Sequence, residues 1–256
     1  MKNFICDMDG VIYKDNHLIP GADDFVHRLI ANENKFLFLT NNSEATPKVL
    51  VDKLLRLGIK GLKEDNFITA AMATATFLET QAERKTAYLI GGPGIYEEME
   101  KVGFSEDDEN PEYVVVGKTK DFNFSMMKKA IELINKGSRF IATNPDILDP
   151  VENGFEPACG CILASIEKGA GLKPYIVGKP NALIMTIARK KLGVHPEDTI
   201  MLGDRMDTDI IGGMEAGMQT CLVLSGVSSR ESIKMFPYKP DYIFDSVADI
   251  YPEKFE

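Results

Sequence analysis

Apolar residues fall along this chain in short unbroken runs, separated by stretches with helical spacing. The runs predict strands at Asn3–Cys6, Lys35–Leu39, Ala87–Ile90, Tyr113–Val116, Phe140–Ala142, Tyr175–Val177, Thr199–Leu202, Cys221–Leu224 and Tyr242–Phe244. Several lack polar alternation, as expected of parallel strands covered on both faces. Between them, Asp23–Asn32, Pro47–Leu57, Ser125–Asn135, Ala182–Leu192 and Asp209–Ala216 carry helical spacing, and the last four are closed by Gly58, Gly137, Gly193 and Gly217. Strand and helix in alternation predict an α/β fold: a Rossmann-like, doubly wound parallel sheet.

Ligands of such sheets bind beyond the carboxyl ends of the strands. Four predicted strand ends are chemically loaded: Asp7-Met8-Asp9-Gly10, Thr40-Asn41-Asn42-Ser43, Gly178-Lys179-Pro180, and Gly203-Asp204-Arg205-Met206-Asp207-Thr208-Asp209. Carboxylates converging on one point repel and are costly to ionise. A hard divalent cation with oxygen ligands relieves that conflict, and Mg²⁺ typically takes one or two carboxylates together with substrate phosphate and water. A lysine and a hydroxyl beside it suit a phosphate. An aspartate can attack phosphorus, while a second moves protons to the leaving oxygen and from water. Taken singly, each stretch also has a plain structural use. Residues 40–43 make a turn and helix cap, and Asp207 and Asp209 favour the start of a helix.

Composition narrows the classes. With 44% hydrophobic residues in 256, the chain can bury a sizeable core. A net charge of −10 without long basic runs argues against nucleic acid as a partner. No run approaches the roughly 18 consecutive apolar residues of a membrane span, and MKNFICDMDG does not read as a secretory signal. Four scattered cysteines, including Cys159 and Cys161, suit free thiols in a reducing compartment, so a cytoplasmic location without membrane association is expected. Gly91-Gly92-Pro93-Gly94 lacks the residues of a phosphate loop and reads as a strand-to-helix turn. The acidic stretch 105–112 reads as a solvated loop.

As an ordered set, DMDGV (7–11), TNN (40–42), GKP (178–180) and GDRMDTD (203–209) resemble the motifs of the haloacid dehalogenase superfamily in its phosphatase branch. ATNPD (142–146), EPACG (156–160) and VLSGVSS (223–229) resemble the NagD-type phosphatases in particular. The resemblance implies a catalytic core at 1–79 and 177–256, with an inserted, smaller α/β cap of the C2 type at 80–176.

It further implies Asp7 as nucleophile and Mg²⁺ ligand, and Asp9 as general acid/base that gives its carbonyl to the metal. Thr40 and Asn41, with Asn42 beside them, would hold phosphoryl oxygens, and Lys179 would neutralise Asp7 and the phosphate. Asp204 would bind Mg²⁺, supported by Asp209 or Asp207. Asn144 and Asp146, at a cap strand end, are candidates for leaving-group contacts, against a purely structural turn. The expected substrate is a small phosphate monoester, a nucleoside monophosphate or a sugar phosphate. Self-association, if present, is expected as a homodimer through the cap. The alternatives are a receiver-type phospho-aspartate switch, which would be about half this length with its acceptor on a later strand, and a phosphomutase, which the motifs alone leave open but which usually carries a different cap.

Overall fold

The computed structural model describes residues 2–151 and 154–255. Its principal strands in chain order are β1 (Asn3–Cys6), β2 (Phe36–Thr40), β3 (Phe67–Thr69), β4 (Thr86–Ile90), β5 (Ser105–Glu106), β6 (Tyr113–Val116), β7 (Arg139–Ala142), β8 (Leu148–Val151), β9 (Gly154–Pro157), β10 (Tyr175–Ile176), β11 (Thr199–Gly203), β12 (Gln219–Val223) and β13 (Tyr242–Phe244). The helices are α1 (Ala22–Ala31), α2 (Pro47–Arg56), α3 (Ala70–Gln81), α4 (Pro93–Lys101), α5 (Phe124–Asn135), α6 (Cys159–Ala170), α7 (Ala182–Leu192) and α8 (Ile211–Glu215). A four-residue helix, Arg230–Ile233, follows. None of these helices is long and apolar enough to cross a membrane.

The chain divides into two compact units, residues 1–40, 47–68 and 179–256 forming one, and 41–46 with 69–178 the other. The first holds a six-stranded sheet in the order β13-β12-β11-β1-β2-β3. β1 lies parallel to both β11 and β2, so the winding reverses at β1 and the crevice for a ligand opens at its carboxyl end. Phe4, Ile5 and Cys6 are fully buried, as are Phe38 and Leu39 of β2 and the whole inner length of β11. In α1, Ala22, Phe25, Val26 and Leu29 recur at helical spacing and turn inward, while Asp23 and Asp24 sit in the first turn, where the helix dipole favours them. α7 begins on the Asn181 side chain, which accepts the Leu183 N–H at 2.9 Å, and ends on Gly193 at φ 64°.

The second unit carries an all-parallel sheet in the order β10-β7-β6-β4-β5. Val114 and Val116 of β6 pack with Leu133 and Ile134 of α5 and with Cys159, Ile162 and Ile166 of α6. β8 and β9 pair antiparallel before α6.

The unit boundaries differ from those implied by the motifs. α3, up to residue 79 expected in the core, packs against α4 and belongs to the second unit, which therefore begins at Thr69. It is apolar around most of its circumference, with Ala70, Ala71, Ala73, Ala75 and Leu78 buried. The second unit also runs to Gly178 rather than 176 and includes residues 41–46. In the acidic stretch 105–112, Ser105–Glu106 is an edge strand. Glu112 there is buried, accepting the N–H groups of Glu83 and Arg84.

Candidate active site

The first unit gathers four expected residues at the carboxyl end of its sheet. Asp7 follows β1, and its backbone N–H donates to the Leu202 carbonyl of β11 at 2.7 Å, continuing the ladder one residue past the strand. Asp204 follows β11, Lys179 precedes α7, and Asp209 lies in the turn before α8. The Lys179 ammonium donates to Asp7 Oδ1 at 2.6 Å and to Asp209 Oδ1 at 2.7 Å. The Lys179 side chain is 4% exposed and that of Asp209 fully buried. One oxygen from each of Asp7, Asp204 and Asp209 lies within 4.8 Å of the other two.

Three buried carboxylates face one ammonium. Burial is the largest effect on Asp7 and lifts its carboxyl well above the usual range; Asp209 and Asp204 push the same way, and Lys179 offsets part. Asp204 is raised to about 7, first by burial and then by Asp209. Burial alone would lower Lys179, but Asp209 and Asp7 more than compensate and hold it charged. The excess negative charge and the oxygen-only donor set fit a hard divalent cation.

Asp209, rather than Asp207, joins this cluster. Met206–Ile210 is a π-helical turn in which the Ile210 N–H reaches back to the Arg205 carbonyl at 3.2 Å. That winding turns Asp209 inward, where its Oδ2 accepts the Arg205 N–H at 3.0 Å. Asp207 faces solvent and forms a two-pronged pair with the Arg205 guanidinium, at 3.0 and 2.9 Å.

Asp9 differs from the clustered acids in burial. It is exposed, and its Oδ2 accepts the Tyr13 hydroxyl at 3.2 Å. The Lys53 ammonium sits 3.5 Å from the centre of the Tyr13 ring. Thr40, 4% exposed, closes β2 beside β1.

The sequence assigned no role to Tyr13 or, although VLSGVSS was among the stretches that carry the resemblance, to the loop 225–228. The Val227 N–H donates to Asp204 Oδ2 at 2.6 Å, Ser225 Oγ donates to the Gly10 carbonyl at 2.7 Å, and the Ser228 N–H donates to the Asp204 carbonyl at 3.1 Å. A Cβ on Gly226 would overlap the Asp204 carboxylate, and one on Gly10 would come within 2.5 Å of Asp204 Oδ2. The available signal was a Ser-Gly-Val-Ser-Ser run directly after a predicted strand.

The remaining expected residues lie in the second unit, and Asn41, Asn144 and Asp146 bond to one another. Asn144 Nδ2 donates to the Asn41 carbonyl at 2.7 Å, and Asn41 Nδ2 donates to Asp146 Oδ2 at 2.8 Å. Asn144 and Asp146, candidates for leaving-group contacts, are thus turned onto Asn41. Asn42 is exposed, and its Oδ1 accepts the N–H groups of Glu44 and Ala45, at 2.8 and 3.0 Å. Cys159 is buried in the core of this unit and Cys161 half-buried; all four thiols are free.

A family model for haloacid dehalogenase-like hydrolases matches residues 4–105, and one described as HAD-hydrolase-like matches residues 176–250. The chain is 44% identical over 250 residues to the ribonucleotide monophosphatase NagD of Escherichia coli (strain K12), covering 98% of each chain. It is 42% identical over 248 residues to the dihydroxyacetone phosphatase of Corynebacterium glutamicum (strain R), covering 97% of this chain and 90% of that one. The solved structure of NagD from E. coli K-12 superposes with a TM-score of 0.93 at 43% identity, covering 98% of both. The chain belongs to the haloacid dehalogenase-like hydrolases, in their NagD-type phosphatase branch.

Proposed function

We propose that this phosphatase hydrolyses small phosphate monoesters, nucleoside monophosphates or sugar phosphates, by forming and hydrolysing a phosphoryl ester of Asp7 with Mg²⁺ as cofactor. The observation that carries the reading is the buried Lys179 ammonium 2.6 Å from Asp7, with the Asp204 and Asp209 carboxylates beside it. Relatives named ribonucleotide monophosphatase, 5'-nucleotidase, dihydroxyacetone phosphatase and acid sugar phosphatase support the breadth of the substrate class.

An Asp7 oxygen attacks phosphorus, and the bond from phosphorus to the leaving oxygen breaks. Asp9, at the solvent side and oriented by Tyr13, gives that oxygen a proton. Asp9 then takes a proton from water as the water attacks phosphorus and releases Asp7. Lys179 favours the ionised form of Asp7 against the effect of burial and balances charge on the phosphoryl oxygens. Thr40 and the Asn41 backbone hold those oxygens. Mg²⁺, when bound by Asp7, the Asp9 carbonyl and Asp204 with Asp209 in support, supplies the positive charge that lets the acids and the substrate phosphate coexist.

The test is a panel of phosphate monoesters assayed for phosphate release with Mg²⁺ and with a chelator. Metal-dependent release from nucleoside monophosphates or sugar phosphates is expected. Equal rates in the chelator, or no release from any member of either class, would refute the proposal.

A further inference from the structure

The turn Gly91-Gly92-Pro93-Gly94 joins β4 to α4, as its sequence suggests; Gly91 is crowded by Ile95 of α4 itself, but the backbone does not demand glycine at 92 or 94. Gly92 has φ −87° and ψ −178°, extended backbone open to any residue. At Gly92 and Gly94, what excludes a side chain is the six-residue segment 41–46, which belongs to the same unit. A Cβ on Gly94 would fall 2.7 Å from the Ser43 carbonyl oxygen and 3.0 Å from those of Glu44 and Ala45. One on Gly92 would meet the Glu44 side chain at 2.9 Å, one on Gly117 the Ser43 hydroxyl at 2.8 Å, and one on Gly178 the Asn41 side-chain oxygen at 2.7 Å. Glycines from three separate places in the chain line one seat.

The segment is also bonded into that seat along its length. Besides the two bonds at Asn41, the Thr143 hydroxyl donates to Ser43 Oγ at 3.1 Å, and the Gly94 N–H donates to the Glu44 carbonyl at 2.8 Å. The Lys118 ammonium lies 3.5 Å from the Glu44 carboxylate. The segment follows Thr40 directly and hands the chain on to Pro47, both residues of the first unit.

We propose that Asn144, Asp146 and Gly94 are positioning residues for phosphate binding: they fix the peptide after Thr40, so that its N–H groups meet the phosphoryl oxygens in one preset orientation. This rests on the reading that Thr40 and Asn41 hold the phosphate. A peptide unit is planar and trans, so anchoring the Asn41 carbonyl on Asn144 points the Asn42 N–H the opposite way. Both Asn144 amide hydrogens are used, on the Asn41 carbonyl and on the Thr143 hydroxyl, and its oxygen accepts the Asp146 N–H. Asn144 is 4% exposed. Its amide therefore serves the protein, and losing it affects every substrate that carries a phosphate, whatever the leaving group.

The experiment measures the competitive inhibition constant of inorganic phosphate, together with KM and kcat for a nucleoside monophosphate, a sugar phosphate and an aryl phosphate. Asn144→Asp keeps the shape but sets an oxygen against the Asn41 carbonyl. Gly94→Ala improves the helix propensity of α4 while crowding the seat. Each is expected to weaken inorganic phosphate about tenfold, a loss of about 1.4 kcal/mol. KM should rise by a similar factor for all three substrates, leaving their ranking intact. Asp146→Ala should behave alike, and Asp146→Asn, which retains an acceptor for Asn41, should recover most of the loss. Hydrogen exchange at 41–46 should quicken in Asn144→Asp and slow in the wild type when inorganic phosphate is added. Unchanged phosphate inhibition in folded Asn144→Asp would overturn the proposal, as would a reordering of substrates. A wild type that releases phosphate from none of the three would instead refute the phosphatase reading itself.

Discussion

Replacing Lys179 with methionine removes one charge from the most crowded point of the protein while nearly preserving volume. Its ammonium touches two carboxylates, at 2.6 and 2.7 Å, with a third within 4.8 Å of both. Each attraction is of the order of 6 kcal/mol at these separations and an effective dielectric near 20. Removing one partner of a buried pair typically costs about 3–5 kcal/mol, because the other charge stays buried. Asp7 and Asp204, both raised by burial, can escape by taking up protons. A buried acid whose folded pKa lies above its unfolded value near 4 contributes stability at low pH and loses it as pH rises through the folded value. The deficit of Lys179→Met should therefore be small near pH 5 and reach about 3–5 kcal/mol at pH 8. For a chain of this size, 3–5 kcal/mol lowers the melting temperature by about 10 °C. Thermal unfolding of both proteins without metal at the two pH values is the assay. Phosphate release by the variant should fall at least about a hundredfold. A deficit of equal size at pH 5 and pH 8, or none at either, would refute the reasoning that the lysine neutralises a buried acidic cluster.

Other outcomes follow from the same cluster and from the cores. Mg²⁺ at about 100 times its dissociation constant should stabilise the protein by about 2.7 kcal/mol. The gain should shrink toward pH 5, where Asp7, raised by burial, and Asp204, raised to about 7, hold the protons that metal must displace; differential scanning fluorimetry at several pH values checks this, and a pH-independent gain would contradict it. Gly226→Ala should cut activity at least tenfold in a still-folded protein, because the added methyl displaces the Asp204 carboxylate; circular dichroism and phosphate release measured together would show otherwise. Thiol labelling of the native protein should modify half-buried Cys161 first. Cys159, its thiol pushed by burial to about 12, and the buried Cys6 and Cys221 should react only on unfolding; fast labelling of Cys221 would count against this packing.

The core sheet was legible because its strands are apolar without interruption and each ends in chemistry: Phe4-Ile5-Cys6 into Asp7, and Ile200-Met201-Leu202 into Asp204. What stayed hidden depends on winding and on distant contacts. α3 has only a short polar stripe, Thr76, Glu79 and Thr80 near its end, so spacing marks it weakly, and its attachment to the second unit is decided by packing against α4. Asp207 and Asp209 alternate along the chain, and only the π-helical turn decides which faces inward. Asn144 and Asp146 were recognised as special from their strand-end position, but position gives no partner. The partner, Asn41, lies more than a hundred residues earlier in the chain.

The most direct measurement is mass spectrometry of enzyme quenched in acid during turnover with excess substrate and Mg²⁺, read on the peptide between Lys2 and Lys14. The account predicts a phosphoryl group on that peptide, at Asp7, absent from an Asp7→Asn variant that binds inorganic phosphate but does not turn over. A phosphoryl group on any other residue, or near-full turnover by Asp7→Asn, would contradict it.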